Sequence, residues 1–194
     1  CTRGKYGDKL KSTTEPEGCQ PCAKGRYSNN DGYGYTYTTS AVLPCQACDA
    51  GKWSSTEGAY QKSVCTYCSV GKYSSTPAAT SIDACLDCDQ GKFLPAVGSS
   101  QATNCQNCVP GQVQNKRGQA YCLPCMPGKN QVTPGESECI DCIKDHYSVD
   151  GITCHACRQG RFSTSGSSRC KPCDLGMKTV SSNDPEVPDD YICE

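Results

Sequence analysis

Large aliphatic side chains are scarce in this chain of 194 residues: Leu, Ile, Val and Phe together fill 23 positions, beside 2 Met and 1 Trp. A chain this poor in apolar bulk cannot bury one core large enough to offset its ordering entropy. No apolar run reaches the roughly 18 residues of a membrane-spanning helix, and no basic-then-apolar opening marks a secretory signal. The sequence starts at Cys1 and stops at Glu194, and reads as a mature segment or as a piece of a longer secreted or membrane-anchored parent. A net charge of −1 leaves no basic field for nucleic acid. Only 2 histidines are present, and no Asn-x-Ser/Thr acceptor occurs. His146 and His155 read as surface residues, so no catalytic site, metal site or cofactor is expected.

What the chain has is cysteine, 20 in all. Eighteen fall in nine Cys-x-x-Cys pairs: Cys19/Cys22, Cys45/Cys48, Cys65/Cys68, Cys85/Cys88, Cys105/Cys108, Cys122/Cys125, Cys139/Cys142, Cys154/Cys157 and Cys170/Cys173. Cys1 and Cys193 stand alone at the ends. Disulfides at this density persist only outside a reducing cytosol, so the chain is either extracytoplasmic and bridged or intracellular and metal-loaded.

The pairs mark a repeat. Two residues after each pair comes a short signature: Gly25-Arg26-Tyr27-Ser28, Gly51-Lys52-Trp53-Ser54, Gly71-Lys72-Tyr73-Ser74, Gly91-Lys92-Phe93, Gly160-Arg161-Phe162-Ser163, and Gly4-Lys5-Tyr6 after Cys1. Asp145 replaces the glycine once, and Val113, Asn130 and Lys178 replace the aromatic. The glycine suits a turn that needs positive φ. Glycines such as Gly58, Gly98, Gly118, Gly135, Gly151 and Gly166 mark a second turn before the next cysteine. Each repeat therefore reads as cysteine, turn, short strand, loop or turn, returning strand, cysteine, with almost no helix. Ten modules follow: residues 1–21, 22–47, 48–67, 68–87, 88–107, 108–124, 125–141, 142–156, 157–172 and 173–194. The fold class is small and disulfide-rich: an elongated rod of tandem one-bridge modules with short strands and irregular loops. As in other stacked repeats, each module is expected to touch only its neighbours.

Sequence does not fix which cysteines pair. One scheme uses all twenty: the second cysteine of each pair bridges the first of the next, from 1–19 and 22–45 to 157–170 and 173–193. Bridges inside each Cys-x-x-Cys would leave the long loops untied, and paired Cys-x-x-Cys motifs are also the pattern of tetrahedral zinc sites.

The Cys-x-x-Gly-[Lys/Arg]-[Tyr/Phe/Trp]-Ser motif followed by Cys-x-x-Cys resembles the ephrin-receptor-like cysteine-rich repeat. It is similar also to the simplest module of tumour-necrosis-factor-receptor cysteine-rich domains. The resemblance covers essentially the whole chain and implies an extracellular or cell-surface setting, modules that stack with one bridge each, and no catalytic residues. Ten similar units without a specialised domain favour a non-enzymatic structural segment of a surface fibre, appendage or coat, whose partners are neighbouring chains of the same fibre. Two alternatives stand beside it: a receptor ectodomain binding a protein ligand, and an intracellular zinc scaffold. Tyr33, Tyr35 and Tyr37 alternate along one strand face in the longest loop and are the expected partner contact. O-linked glycans fit the loops at Thr36, Thr38, Thr39, Ser75 and Thr76. The basic residue after most motif glycines reads as a solvated head on a stem that covers the bridge. The acidic stretch holding Glu186, Asp189 and Asp190 reads as a solvated loop.

Overall fold

The computed structural model of the chain describes residues 3–7, 19–29, 45–174, 179–180 and 192–193. These residues form two compact units, Cys1–Cys88 with Leu94–Cys105, and Asp89–Phe93 with Gln106–Glu194. Regular structure consists of short strands paired as two-stranded antiparallel sheets, ten among the described residues. The only helices among them are three single turns of 3-10 type.

The first unit holds four hairpins. They pair Lys5–Gly7 with Cys19–Pro21, Arg26–Tyr27 with Gln46–Ala47, Lys52–Trp53 with Thr66–Tyr67, and Lys72–Tyr73 with Leu86–Asp87. The second unit holds six, from Lys92–Phe93 with Gln106–Asn107 to Thr179–Val180 with Ile192–Cys193.

The motif glycine makes each hairpin. Gly51 sits at φ +82°, where a side chain is strained. The turn it completes is closed by Lys52 N–H on the Asp49 carbonyl at 3.1 Å. The returning strand is then fastened by Cys68 N–H to the Gly51 carbonyl at 2.9 Å. The same bond, from the second cysteine of a pair to the motif residue, recurs in the other modules. Cys88 donates to Gly71 at 2.9 Å, Cys125 to Gly111 at 2.8 Å, Cys142 to Gly128 at 2.9 Å and Cys157 to Asp145 at 2.7 Å.

Eight disulfides follow the sequential scheme. The first unit holds Cys22–Cys45, Cys48–Cys65, Cys68–Cys85 and Cys88–Cys105. The second holds Cys108–Cys122, Cys125–Cys139, Cys142–Cys154 and Cys157–Cys170. Cα–Cα distances lie between 5.6 and 5.8 Å, the ordinary span of a bridge. Cys19 and Cys173 are disulfide-bonded as well. The remaining two bridges of the scheme, Cys1–Cys19 and Cys173–Cys193, depend on side chains outside the described set.

Loop length decides local detail. Where the bridge spans 17 residues, the chain makes a 3-10 turn just before the closing cysteine, at Lys62–Val64, Ile82–Ala84 and Ala102–Asn104. Beside that turn Cys65, Cys85 and Cys105 are buried, and Val64 of the first packs on Cys48 and Cys65. Where the span falls to between 12 and 14 there is no room for such a turn, and Cys122, Cys139, Cys154 and Cys170 are half-exposed.

Within each unit, consecutive modules are hydrogen-bonded in a ladder. The motif residue donates its N–H to the carbonyl three residues past the next motif glycine: Gly4 to Ser28, Gly25 to Ser54, Gly51 to Ser74 and Gly71 to Leu94 in the first unit. The second unit repeats it with Gly91 to Gln114, Gly111 to Gln131, Gly128 to Ser148 and Asp145 to Ser163, all between 2.7 and 2.9 Å. The expectation that modules touch only their neighbours is corrected here. A Cβ on Gly25 would lie 2.2 Å from the Ala78 carbonyl oxygen, one on Gly51 2.1 Å from that of Gly98, and one on Gly91 1.8 Å from that of Gly135. Each of these carbonyls belongs to the second turn of the next module but one. The motif glycine is thus demanded twice, by its φ and by the backbone packed where a side chain would be.

Candidate functional surface

The recurring elements of the repeat are spent on its own architecture. The second cysteine is buried in eight of the pairs, at Cys22, Cys48, Cys68, Cys88, Cys108, Cys125, Cys142 and Cys157. The residue after the motif aromatic is buried beside it, as at Ser54, Ser74, Ser148 and Ser163. These side chains and bridges are the core. Tyr27 and Ala59 pack on Cys48 and Cys65, and Leu94 packs on Cys88 and Cys105.

Several of the basic residues after the motif glycines bond within their own modules. Lys129 reaches its cross-strand partner Asp141 at 2.6 Å, and Lys72 pairs in the same way with Asp87. Arg26 donates to the Cys45 carbonyl at 3.0 Å. Lys52 lies 3.5 Å from Asp49 and 4.5 Å above the Tyr67 ring. On the surface, a hydrogen bond from Lys62 holds Asp49 below the usual carboxylate range, and Asp49 raises Lys62 in return.

His146 is half-buried, with Nδ1 3.1 Å from the Lys144 carbonyl, and the exposed ring of His155 lies 5.8 Å from that of Tyr147. Asp150 turns its own loop: Oδ1 accepts from Ile152 N–H at 2.8 Å and Thr153 N–H at 3.1 Å, which holds its carboxyl below the ordinary value. A shallow groove of about 250 Å³ runs between Tyr6, Ala23, Arg26 and Cys45, smaller than ordinary ligand clefts. Among the described residues no group of three or more His, Cys, Asp or Glu is placed to hold a metal ion. The thiols a zinc site would use are consumed: eighteen cysteines, Cys125 and Cys157 among them, are in disulfides. Among the described residues the zinc alternative therefore lacks its cysteine ligands. Among the described residues, no helix is long and apolar enough to cross a membrane.

Tyr33, Tyr35 and Tyr37 lie outside the described residues, as do Thr36, Thr38, Thr39 and the acidic stretch 184–190. Ser75 and Thr76 are exposed.

Three features escape a reading of the motif alone. Gln114 and Gln131 stand where other modules carry the buried serine, and each ties its own short loop: Gln114 Nε2 donates to the Tyr121 carbonyl at 2.8 Å, Gln131 Nε2 to that of Glu138 at 2.9 Å. They replace the missing 3-10 turn, and only the coincidence of Gln with the shortened spacing signals it. Asp145, at φ +61°, is buried in the position of a glycine. Exposed large apolar residues occur in both units: Tyr60, Tyr67, Val70, Ile82, Leu86 and Val97 in the first, and Val109, Leu123, Met126, Ile140 and Ile143 among those of modules six to eight. No protein-family model matches the chain, and no curated protein matches it.

Proposed function

We propose that the chain is a non-enzymatic, disulfide-stapled structural segment of an extracellular fibre, appendage or coat. Bridges at this density suit an oxidising setting. The observation that carries the structural role is the ladder. Most motif glycines are committed to their own turn, to the next module and, through the missing side chain, to the module beyond. An interior consumed by bridges and backbone bonds has little left for a catalytic pocket, and equivalent joints repeated along a chain serve extension and load-bearing. The resemblance to ephrin-receptor-like and tumour-necrosis-factor-receptor-like repeats supports the same setting on sequence grounds. In this reading the partners are neighbouring chains, with Tyr33, Tyr35 and Tyr37 as one contact.

A receptor ectodomain is the second reading, favoured by the apolar side chains exposed in modules six to eight, since a protein ligand needs such a patch. Immunogold labelling of intact, unpermeabilised cells tests the choice. Label along a fibre or coat, retained after detergent extraction, is expected. Label confined to the cell interior would overturn the extracellular reading, and label released by detergent as a monomeric membrane protein would favour the receptor.

A further inference from the structure

We propose that the second unit carries a self-association surface, the turn row Val109, Met126 and Ile143, and that its occupant is the same row of a second copy running antiparallel. The proposal rests on the structural-segment reading and names its lateral contact.

The row is a consequence of the repeat. Five successive motif turns in this unit close with the same bond, a backbone N–H three residues on. Asp89 accepts from Lys92 at 3.2 Å, Val109 from Gln112 at 3.0 Å, Met126 from Lys129 at 3.0 Å, Ile143 from His146 at 3.1 Å and Arg158 from Arg161 at 3.0 Å. The five residues therefore occupy one equivalent position on hairpins joined by the ladder. At that position the first unit carries Ala23, Asp49 and Ser69. The second unit carries three large apolar side chains in a row, 55%, 67% and 65% exposed. The same two hairpins as Val109 and Met126 add Leu123 and Ile140, also exposed.

Charge identifies the occupant and its direction. The row begins at Asp89 and ends at Arg158, both exposed. A two-fold axis through Met126 sets Met126 on Met126, Val109 on Ile143, and Asp89 on Arg158 of the second copy, twice over. Parallel pairing would set Asp89 on Asp89 and Arg158 on Arg158. Asp89 already receives Arg117 at 3.4 Å on one oxygen, with both side chains about 70% exposed, which leaves the other oxygen for the second copy. The three apolar side chains expose on the order of 300 Å² per copy, the scale of a functional patch. A single such contact is weak, and contacts multiplied along neighbouring fibres gain through effective concentration.

Sedimentation equilibrium of the oxidised full chain, from about 1 μM to about 1 mM, tests this. A reversible dimer is expected. Met126→Glu, which places two like charges on the axis, should weaken it at least tenfold, with the bridges intact by non-reducing peptide mapping. Asp89→Arg should weaken it, and adding Arg158→Asp in the same chain should restore it. A monomer throughout the range, a dimer indifferent to Met126→Glu, or a double charge swap that fails to restore pairing would each overturn the proposal. None of these outcomes bears on immunogold labelling of the native structure, so failure here is separable from failure of the structural reading.

Discussion

The carboxylate of Asp145 accepts the backbone N–H of Ser163, Oδ1 to N 3.2 Å, across the joint between the eighth and ninth modules. In three modules of the first unit the equivalent N–H is taken by a carbonyl from the next module's second turn: Ser28 by Ala59, Ser54 by Ala79 and Ser74 by Ser99, at 2.9 to 3.0 Å. A side chain here does the work of a main-chain carbonyl, from a position where most modules have no side chain at all. The cost is visible in its other oxygen. Oδ2 is buried with no hydrogen-bond partner, and Lys144 Nζ approaches only to 3.9 Å.

Asp145→Asn should therefore stabilise the second unit by about 1 kcal/mol. It keeps the acceptor for Ser163, tolerates positive φ, and removes a buried carboxylate oxygen that accepts no hydrogen bond. Asp145→Ala should destabilise by about 2 kcal/mol, since it loses the acceptor and puts a Cβ at φ +61° with nothing in return. Denaturant melts of the oxidised chain order the three proteins; Asn falling below Asp would refute the account.

Much of this fold is legible in the spacing of cysteines and glycines, because a turn at positive φ and a bridge spanning one loop are local demands. The hairpin at Gly51 is read directly from Cys48-x-x-Gly51, and the bridge Cys48–Cys65 follows the sequential scheme, one of the pairings the spacing allows. The bridges Cys125–Cys139 and Cys157–Cys170 follow the same rule in shorter loops. The contact between Gly51 and Gly98 is not legible in this way, since it depends on how far one module rises on the next, which no local pattern records. Asp145 reads only as a departure from the glycine motif, whereas the structure keeps the turn and gives the side chain a bond. The equivalence of Val109, Met126 and Ile143 is legible, since each directly follows the second cysteine of its pair, but their exposure is not. The tyrosine insert at Tyr33, Tyr35 and Tyr37 is legible from its alternation alone and lies outside the described residues.

The two demands on the motif glycine can be separated. Gly91→Ala puts a Cβ 1.8 Å from the Gly135 carbonyl oxygen as well as at φ +74°, and should cost about 3 kcal/mol or prevent bridging of neighbouring modules. Gly160→Ala meets nothing within 4 Å and should cost only the left-handed backbone penalty, about 1 kcal/mol. Ala78, a non-glycine at φ +55°, supplies the converse: Ala78→Gly should be neutral to slightly stabilising. Equal losses for the two glycine variants would show that φ alone matters.

Asp150 sets an acid limit on its loop. Its folded pKa is depressed, first by the Ile152 N–H and then by that of Thr153. Its contribution is therefore complete above the unfolded carboxylate value of about 3.9 and is lost as pH falls through the folded value below that. The amides of Ile152 and Thr153 should stay protected from exchange down to about pH 4 and open in stronger acid. Asp150→Ala should open them at neutral pH. Protection that is already lost between about pH 6 and pH 5 would contradict this.

Reduction should be ordered along the chain. Thiol–disulfide exchange requires an attacking thiolate to reach a sulfur, so access governs which bridge opens first. In the first unit both ends of Cys48–Cys65, Cys68–Cys85 and Cys88–Cys105 are buried, the second end beside a 3-10 turn. In the second unit the opening cysteines Cys108, Cys125, Cys142 and Cys157 are buried, but the closing cysteines Cys122, Cys139, Cys154 and Cys170 are half-exposed. Under limiting reductant, alkylation followed by peptide mapping should find these four closing cysteines first. Each bridge contributes about 3 kcal/mol in the chain-entropy account, so the second unit should lose structure while the three buried bridges of the first remain closed. Deleting the 3-10 turn, by removing Lys62–Val64, should bring Cys48–Cys65 into the early group. Simultaneous opening of all eight bridges, or early loss of Cys68–Cys85, would mean that access at the closing cysteine does not control the order.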